Sequence, residues 1–427
     1  MKRILLTLAL VAATIACSKQ AEQQYDAIPE GIEDNLYRFG VNTSPYEYFN
    51  TPETPVPAGY KAFYVSHYGR HGSRSNWGKN YSKTLEKLDK IKEAGALTEE
   101  GLRVLAQAKL IDSLHNDMDG RLTPRGAREH RAIAGRMYEK YKDVFQSGNR
   151  RVRAVSSYVP RCIVSMAAFT GELLSRDSRI DMSWDTGEQF MKYCSSDDPN
   201  SMRYEAYKYI KEYAEGYKPD SLDFARHMFT DTDAACKAAD ATILDMMAGV
   251  VEFAAIAGSF DQDQTIINVF TLEDLKQFER GVSLELYLRQ CNSVEFGDIR
   301  MAAPGVQELV DDFIAKADAA IADGSCVADL RFGHDWQLLA FCSRIGVKGI
   351  AERLTKDEAV NWPGWLYTPF AGNFQMIFYK NNSGEVLVKC FINERETTLL
   401  GLPDGPYYKW DDVKAQWSAT VTAAEKI

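Results

Sequence analysis

Apolar and polar positions along this chain switch between two periods. Short apolar runs of strand length are followed by stretches with helical spacing. The runs are Lys61–Tyr68, with Ala62-Phe63-Tyr64-Val65 at its centre, Arg151–Val155 and Val327–Phe332. One helical stretch carries Tyr81, Leu85, Leu88 and Ile91 and ends at Gly95. A second carries Ala127, His130, Ala134, Met137 and Tyr141, with Thr123 placed as its N-cap and Pro124 at its first helical position. A third begins at Pro160 and continues through Ile163, Met166, Ala167 and Thr170, and a fourth runs through Leu338, Leu339, Cys342 and Ile345. Gln375–Phe378 and Glu385–Phe391 flank Asn381-Asn382-Ser383-Gly384, a hairpin pattern. Strands interleaved with helices predict an α/β fold, a central, mostly parallel sheet flanked by helices.

The three strand-like runs share an ending. The first leads into Arg70-His71-Gly72-Ser73-Arg74, the second into Pro160-Arg161, and the third into Gly333-His334-Asp335. Ligand sites of open α/β sheets lie beyond the carboxyl ends of strands, where distant segments converge. A phosphate dianion needs opposed positive charge before a nucleophile can approach, and guanidinium groups supply it permanently. Pro160 in a first helical turn also sets Arg161 near a helix N-terminus, a favourable place for an anion. Taken alone, Arg70–Arg74 also reads as an exposed basic loop with a surface histidine. Three such strand ends outweigh that reading. Asp335 has a structural rival of its own, since Asp before a helical run is a preferred N-cap, and the two roles are compatible.

These residues carry a resemblance. Arg70-His71-Gly72-Ser73-Arg74, Arg161 and His334-Asp335 resemble the signature of the histidine phosphatase superfamily, in its acid phosphatase and phytase branch. Leu122-Thr123-Pro124-Arg125-Gly126-Ala127, Pro160-Arg161-Cys162 and Ala371-Gly372-Asn373-Phe374-Gln375 extend the match over residues 30–410. The connecting text is most similar to multiple inositol polyphosphate phosphatases. That subgroup carries His-Ala-Glu with Glu as proton donor, whereas this chain reads His334-Asp335-Trp336, the His-Asp of acid phosphatases and bacterial phytases. The resemblance implies a catalytic pair, His71 as phosphoryl acceptor and Asp335 as proton donor. Arg70, Arg74, Arg161 and His334 are implied to bind the phosphate, with no metal and no other cofactor. It also implies an α-helical cap inserted into the α/β body. Residues 176–295, rich in helix formers and in tyrosine (Tyr204, Tyr207, Tyr209, Tyr213, Tyr217), are the expected cap, and 30–175 with 296–427 the expected core. The implied substrate is a small phosphate monoester, phytate or another inositol phosphate, with a broad acid phosphatase as the alternative.

Composition adds a compartment. Lys2-Arg3, the apolar Ile4–Ala13 and Thr14-Ile15-Ala16-Cys17 form an export signal ending in a lipobox-like site, so Cys17 is the expected lipidation site. Residues 1–17 are then a signal segment and 18–29 a tether. This predicts a periplasmic or outer-membrane-anchored lipoprotein of a Gram-negative bacterium, bound to membrane through that anchor alone. Plain signal cleavage is the alternative. The net charge of −10 argues against nucleic acid as a general partner. The other seven cysteines show neither CxxC nor zinc spacing, and their odd number leaves at least one thiol free. Cys162 beside Arg161 reads as a buried helical cysteine rather than a nucleophile. His67 and His71 are four apart but lack the Glu of a zinc protease helix, and His115, His130 and His227 read as packing or surface histidines. An inactive phospho-ligand-binding lipoprotein and a mutase-like phosphotransferase remain as readings from other classes.

Overall fold

The computed structural model describes residues 28–424, apart from 77–78, 116, 196–201, 217–218, 263–264, 298–303 and 404. The signal segment with Cys17, the tether up to residue 27, and Tyr217 lie outside the described residues. Eight strands form one sheet: β1 (Lys61–Arg70), β2 (Arg151–Ser156), β3 (Asp181–Thr186), β4 (Ala328–Gly333), β5 (Asn373–Lys380), β6 (Val386–Ile392), β7 (Arg395–Thr397) and β8 (Tyr408–Lys409). Their order is β3-β2-β4-β1-β5-β6-β7, with β8 on β6. The first four are mutually parallel, and β5 to β8 continue the sheet antiparallel. The α/β expectation holds, and so does the β5–β6 hairpin.

Parallel pairing brings the strand ends level. Arg70 at the end of β1 faces Gly333 of β4, and Ser156 at the end of β2 faces Phe332. Successive side chains leave a strand on opposite faces, so each strand feeds two cores. Tyr64, Tyr68, Phe374, Met376 and Phe378 pack on one face against Phe313, Phe341 and Trp417. Val65, Leu330, Phe332 and Ile377 pack on the other against Ile133, Met137, Phe169 and Leu173. The last four belong to helices Pro124–Lys140 and Pro160–Arg176, both opened by proline as their sequences predict.

The helical layer differs from the expected single segment. Its core joins Tyr81, Leu88, Val104 and Ile111, from helices Lys79–Glu93 and Glu99–Leu114, to Phe224, Met228, Val250 and Phe253. Two chain stretches therefore build it. Within 176–295, β3 belongs to the main sheet, and Tyr193, Ala206, Leu284 and Tyr287 pack into the sheet's own core. Tyr209 and Tyr213 pack against that core, while Tyr207 is exposed. All seven described cysteines are free, so no disulfide forms among them.

Candidate active site

The loop after β1 is held from three sides by backbone contacts. The His71 amide donates to the Gly333 carbonyl at 3.0 Å, and the His71 carbonyl accepts from Ala371 at 2.9 Å. The Gly72 amide donates to Ser165 Oγ at 3.1 Å. Buried Glu129 accepts from both the amide and the hydroxyl of Ser73, at 2.8 and 2.7 Å. Two glycines make the approach possible. A Cβ on Gly72 would stand 2.5 Å from the Gly126 carbonyl oxygen, and one on Gly126 would stand 2.2 Å from that of Ser73. The Arg70–Arg74 and Leu122–Ala127 motifs are thus two sides of one backbone contact, which any side chain would push apart.

That clamp fixes the imidazole of His71. Its Nδ1–H donates to the Gly72 carbonyl at 3.0 Å, which selects the tautomer with the lone pair on Nε2. Burial, and then Arg70, Arg161, His334 and Arg74, hold its pKa well below the ordinary histidine value, so the ring is neutral. Arg70 donates through Nη1 to the carbonyls of Asn42 and Thr368, at 2.7 and 2.9 Å, and lies 4.7 Å over the Phe370 ring. Burial and the neighbouring Arg161 and Arg70 press Arg74 down to about 10, which leaves it charged at neutral pH. Arg161 extends from the second position of its helix and reaches within 3.5 Å of His334 Nδ1. Nε of Arg70 and Nε of Arg161 are buried and meet no protein acceptor. Such donors are costly unless something anionic completes them.

His334 and Asp335 follow β4. His334 is itself the N-cap residue, and Asp335 is the first residue inside helix Asp335–Ile345. The capping role considered for Asp335 is therefore corrected: its carboxylate turns into the cavity instead. Its Oδ2 pairs with Arg70 Nη2 at 3.0 Å and accepts from Asn42 Nδ2 at 3.1 Å, while Oδ1 accepts from the Trp336 amide at 3.0 Å. Burial pushes this carboxyl up, but Arg70, Asn42, His334 and Arg74 outweigh it and hold the pKa below the usual value. Burial and Arg161 bring His334 down to about 3; its ring stacks on Trp336 at 4.2 Å and meets His71 edge-on at 5.5 Å.

Arg70, His71, Arg74, Arg161 and Asp335 line one cavity of about 520 Å³, and His334 stands behind them through its contact with Arg161. Six residues far apart in sequence thus come together. The opposite wall comes from helix Leu272–Gln290, through Val282, Glu285, Leu286, Arg289 and Gln290. Asn42 and Glu129 escaped the sequence reading, because each acts through a long-range contact that no local pattern encodes. Cys162 is buried and burial pushes its thiol up to about 11, which makes it a poor nucleophile. His67, His115 and His130 are buried packing residues, and His227 is half-buried beside Asp223.

The body is a mixed α/β fold whose sheet is parallel in its core, with a cationic cavity at the strand ends. Comparison with solved structures finds the same fold elsewhere. The chain is similar to the multiple inositol polyphosphate phosphatase of Bifidobacterium longum solved with phosphate, at 17% identity and a TM-score of 0.69, over 90% of this chain and 98% of that one. The same phosphatase solved with inositol hexasulfate matches at 18% identity and 0.65, over 90% and 98%. The phytase from D. castellii matches at 15% identity and 0.66, over 92% of this chain and 90% of that one. The chain therefore has the fold shared by these inositol polyphosphate phosphatases and phytases. No protein-family model matches the sequence, and no curated protein matches it.

Proposed function

We propose that this protein is a phosphomonoesterase that hydrolyses inositol phosphates through a phosphohistidine at His71. One observation carries the reading: a neutral imidazole, fixed through Nδ1 with its Nε2 lone pair available, stands in a cavity with the guanidinium groups of Arg70, Arg74 and Arg161. Arg70, Arg74 and Arg161 hold the equatorial oxygens, and their charge builds the field the transition state needs. His334 is neutral and adds a polar contact rather than a fourth charge. Nε2 attacks phosphorus in line; the P–N bond forms as the P–O ester bond breaks, and the Asp335 carboxyl gives its proton to the departing oxygen. Asp335, now a carboxylate, then takes a proton from water as that water attacks phosphorus, releasing phosphate and the free imidazole.

The resting Asp335 is an ion-paired carboxylate, so substrate must help to protonate it. A bound dianion competes for Arg70 and raises the Asp335 pKa by its own charge, which couples donor protonation to binding. Hydrolysis of alkyl esters is therefore fastest on the acid side. The cations at the phosphate are side chains, so activity persists after exhaustive chelation.

Inositol phosphates are the substrate class because the solved structures of this fold include phosphatases and phytases named for them. A broad acid phosphatase is the second reading. It is favoured by His334-Asp335-Trp336 and by a wall in which Val282 and Leu286 are apolar and Glu285 pairs with Arg289 at 2.5 Å. Export and lipidation at Cys17 belong to the proposal on the strength of the N-terminal sequence. The test is a panel of phytate, sugar phosphates, nucleotides and an aryl phosphate, with the phosphoenzyme trapped under non-acidic conditions. Phosphate release from phytate and label on the His71 peptide are expected. Release from simple esters alone selects the second reading, and absence of turnover with tight phosphate binding makes the protein a phospho-ligand-binding lipoprotein.

A further inference from the structure

Asp335 is bound on both oxygens, and the two are bound differently. Oδ1 accepts the Trp336 backbone amide, a contact within its own helix turn. Oδ2 faces the side chains of Arg70 and Asn42, and this is the oxygen that can give up a proton. Asn42 also takes the Arg70 guanidinium on its backbone carbonyl at 2.7 Å, so it touches both halves of the ion pair. Its own placement is unusual. Val41 before it is fully buried and adopts φ 49, ψ −100, a left-handed backbone that a β-branched residue rarely takes. Gly364 packs so closely there that an added Cβ would meet Val41 Cγ1 at 2.9 Å. Ser44 ties the turn to the His71 clamp by accepting from the Phe370 amide at 2.8 Å. Strain of this kind persists where surrounding structure imposes it, and here it aims one amide at one carboxylate.

We propose that Asn42 is a positioning residue for proton donation: its side-chain amide holds Oδ2 of Asp335 in both protonation states. The argument rests on the reading of Asp335 as donor. As a carboxylate, Oδ2 accepts from Arg70 and from Asn42. Once Oδ2 is protonated, its oxygen keeps a lone pair that still accepts from the Asn42 amide, and its single proton stays free for the leaving oxygen. Substrate draws Arg70 onto the phosphate while Asn42 keeps the carboxyl in register with the leaving oxygen. The proton then passes from Oδ2 to that oxygen as the P–O bond breaks.

Asn42→Ala and Asn42→Asp test this in the full-length protein, with alkyl and aryl phosphates and His71→Ala as reference. For Asn42→Ala, kcat on alkyl esters should fall on the order of tenfold to a hundredfold, and on aryl esters far less. The alkaline limb of the kcat profile should move to higher pH, because the carboxylate has lost a donor. Arg70 on β1, Arg74 in the loop, Arg161 across the helix gap, His334 beside Asp335 and the Glu285–Arg289 pair opposite all stay in place, so the limb reports Asn42. Asn42→Asp is nearly isosteric and carries the test if the alanine variant misfolds. A second carboxylate raises the Asp335 pKa, so its limb should move the same way and further. Equal fractional loss on both ester classes with an unmoved limb in both variants overturns the proposal, and an inactive His71→Ala then leaves the phosphatase reading standing. If His71→Ala remains active, that reading itself fails.

Discussion

Among the described residues, a large cavity and a smaller one are both lined with arginine, and the larger is not where the candidate catalytic residues converge. It measures about 750 Å³ and lies between helices Pro124–Lys140 and Pro160–Arg176 and the antiparallel strands. Four of its five cations are matched, Arg131 being the exception: Arg136 with Glu394 at 2.6 Å, Arg176 with Glu172 at 2.8 Å, Arg128 with Asp261 at 2.5 Å, and Lys140 with Glu53. The smaller cavity sets Arg70, Arg74 and Arg161 against one carboxylate, Asp335, while Glu285 is taken by Arg289. Matched charges cancel at a distance and serve the fold, whereas an excess of one sign makes a field that a ligand can answer. Local imbalance, not volume, marks the candidate site. The strand ends explain where the imbalance sits: those of β1 and β2 lead to Arg70, Arg74 and Arg161, and that of β4 leads to the single carboxylate, Asp335.

The largest effect should come from removing the nucleophile. His71→Ala should reduce phosphate release by at least roughly a thousandfold, because the covalent path is lost. Arg136→Met, in the larger cavity, should leave kcat/KM unchanged. Steady-state assays of both variants on one substrate decide between the cavities; a retained rate in His71→Ala ends the assignment. Next comes Asp335→Asn, which removes a transferable proton worth roughly a hundredfold to ten-thousandfold on alkyl esters. Aryl esters, whose leaving group needs less protonation, should lose much less. Because His334 occupies the cap position, melting temperature cannot settle the role of Asp335, and leaving-group dependence can. The same fractional loss on both classes would place the donor elsewhere.

The smaller cavity was legible in the sequence, and its supports were not. A buried parallel strand reads as an apolar run, so β1, β2 and β4 stand out, and their basic endings stand out with them. Strand β3 does not, because an edge strand with the sequence Asp-Met-Ser-Trp-Asp-Thr has no apolar run to show. The helical layer was read as one insert because composition reports helices, not partners. Lys79–Leu114 packs with residues beyond 220 through contacts that leave no local trace. Gly72 and Gly126 were visible as motif letters, but their reason is a mutual backbone approach across more than fifty residues. Asn42 carried no signal at all: an asparagine aimed by a strained valine looks like any other.

Stability should also respond to acid through buried histidines. Burial holds His67, His130 and His334 at about 3, and His71 well below its ordinary value. Each folded pKa lies below the unfolded value near 6.5, so the unfolded chain binds more protons as pH falls. Their contribution is fully present above about 6.5 and is lost as the pH drops towards 3. Thermal midpoints should therefore fall steadily from pH 7 to pH 4. His67 sits between the rings of Phe169 and Phe332, at 5.1 and 5.5 Å, so His67→Phe should flatten part of that slope. An unchanged slope would show that His67 does not carry it.

The smallest effect belongs to the larger cavity. Glu394 lies in the tight turn between β6 and β7, where Asn393 and Glu394 have φ of 50 and 62, the paired left-handed conformation of a two-residue hairpin loop. Its carboxylate accepts from Arg136 Nε and Nη2, at 2.9 and 2.6 Å, and from the Tyr46 hydroxyl at 2.9 Å. Glu394→Gln keeps the shape but removes the charge facing Arg136, and an amide can satisfy at most part of that fork. The expected cost is about 1–3 kcal/mol. That is a fall of a few degrees in melting temperature, with kcat/KM on every ester unchanged. A matched pair that serves the fold should show stability and no activity in the balance sheet of this variant. If Glu394→Gln instead slowed hydrolysis as Asp335→Asn does while melting normally, the larger cavity would be a working part of the enzyme, and charge imbalance would be the wrong guide to its site.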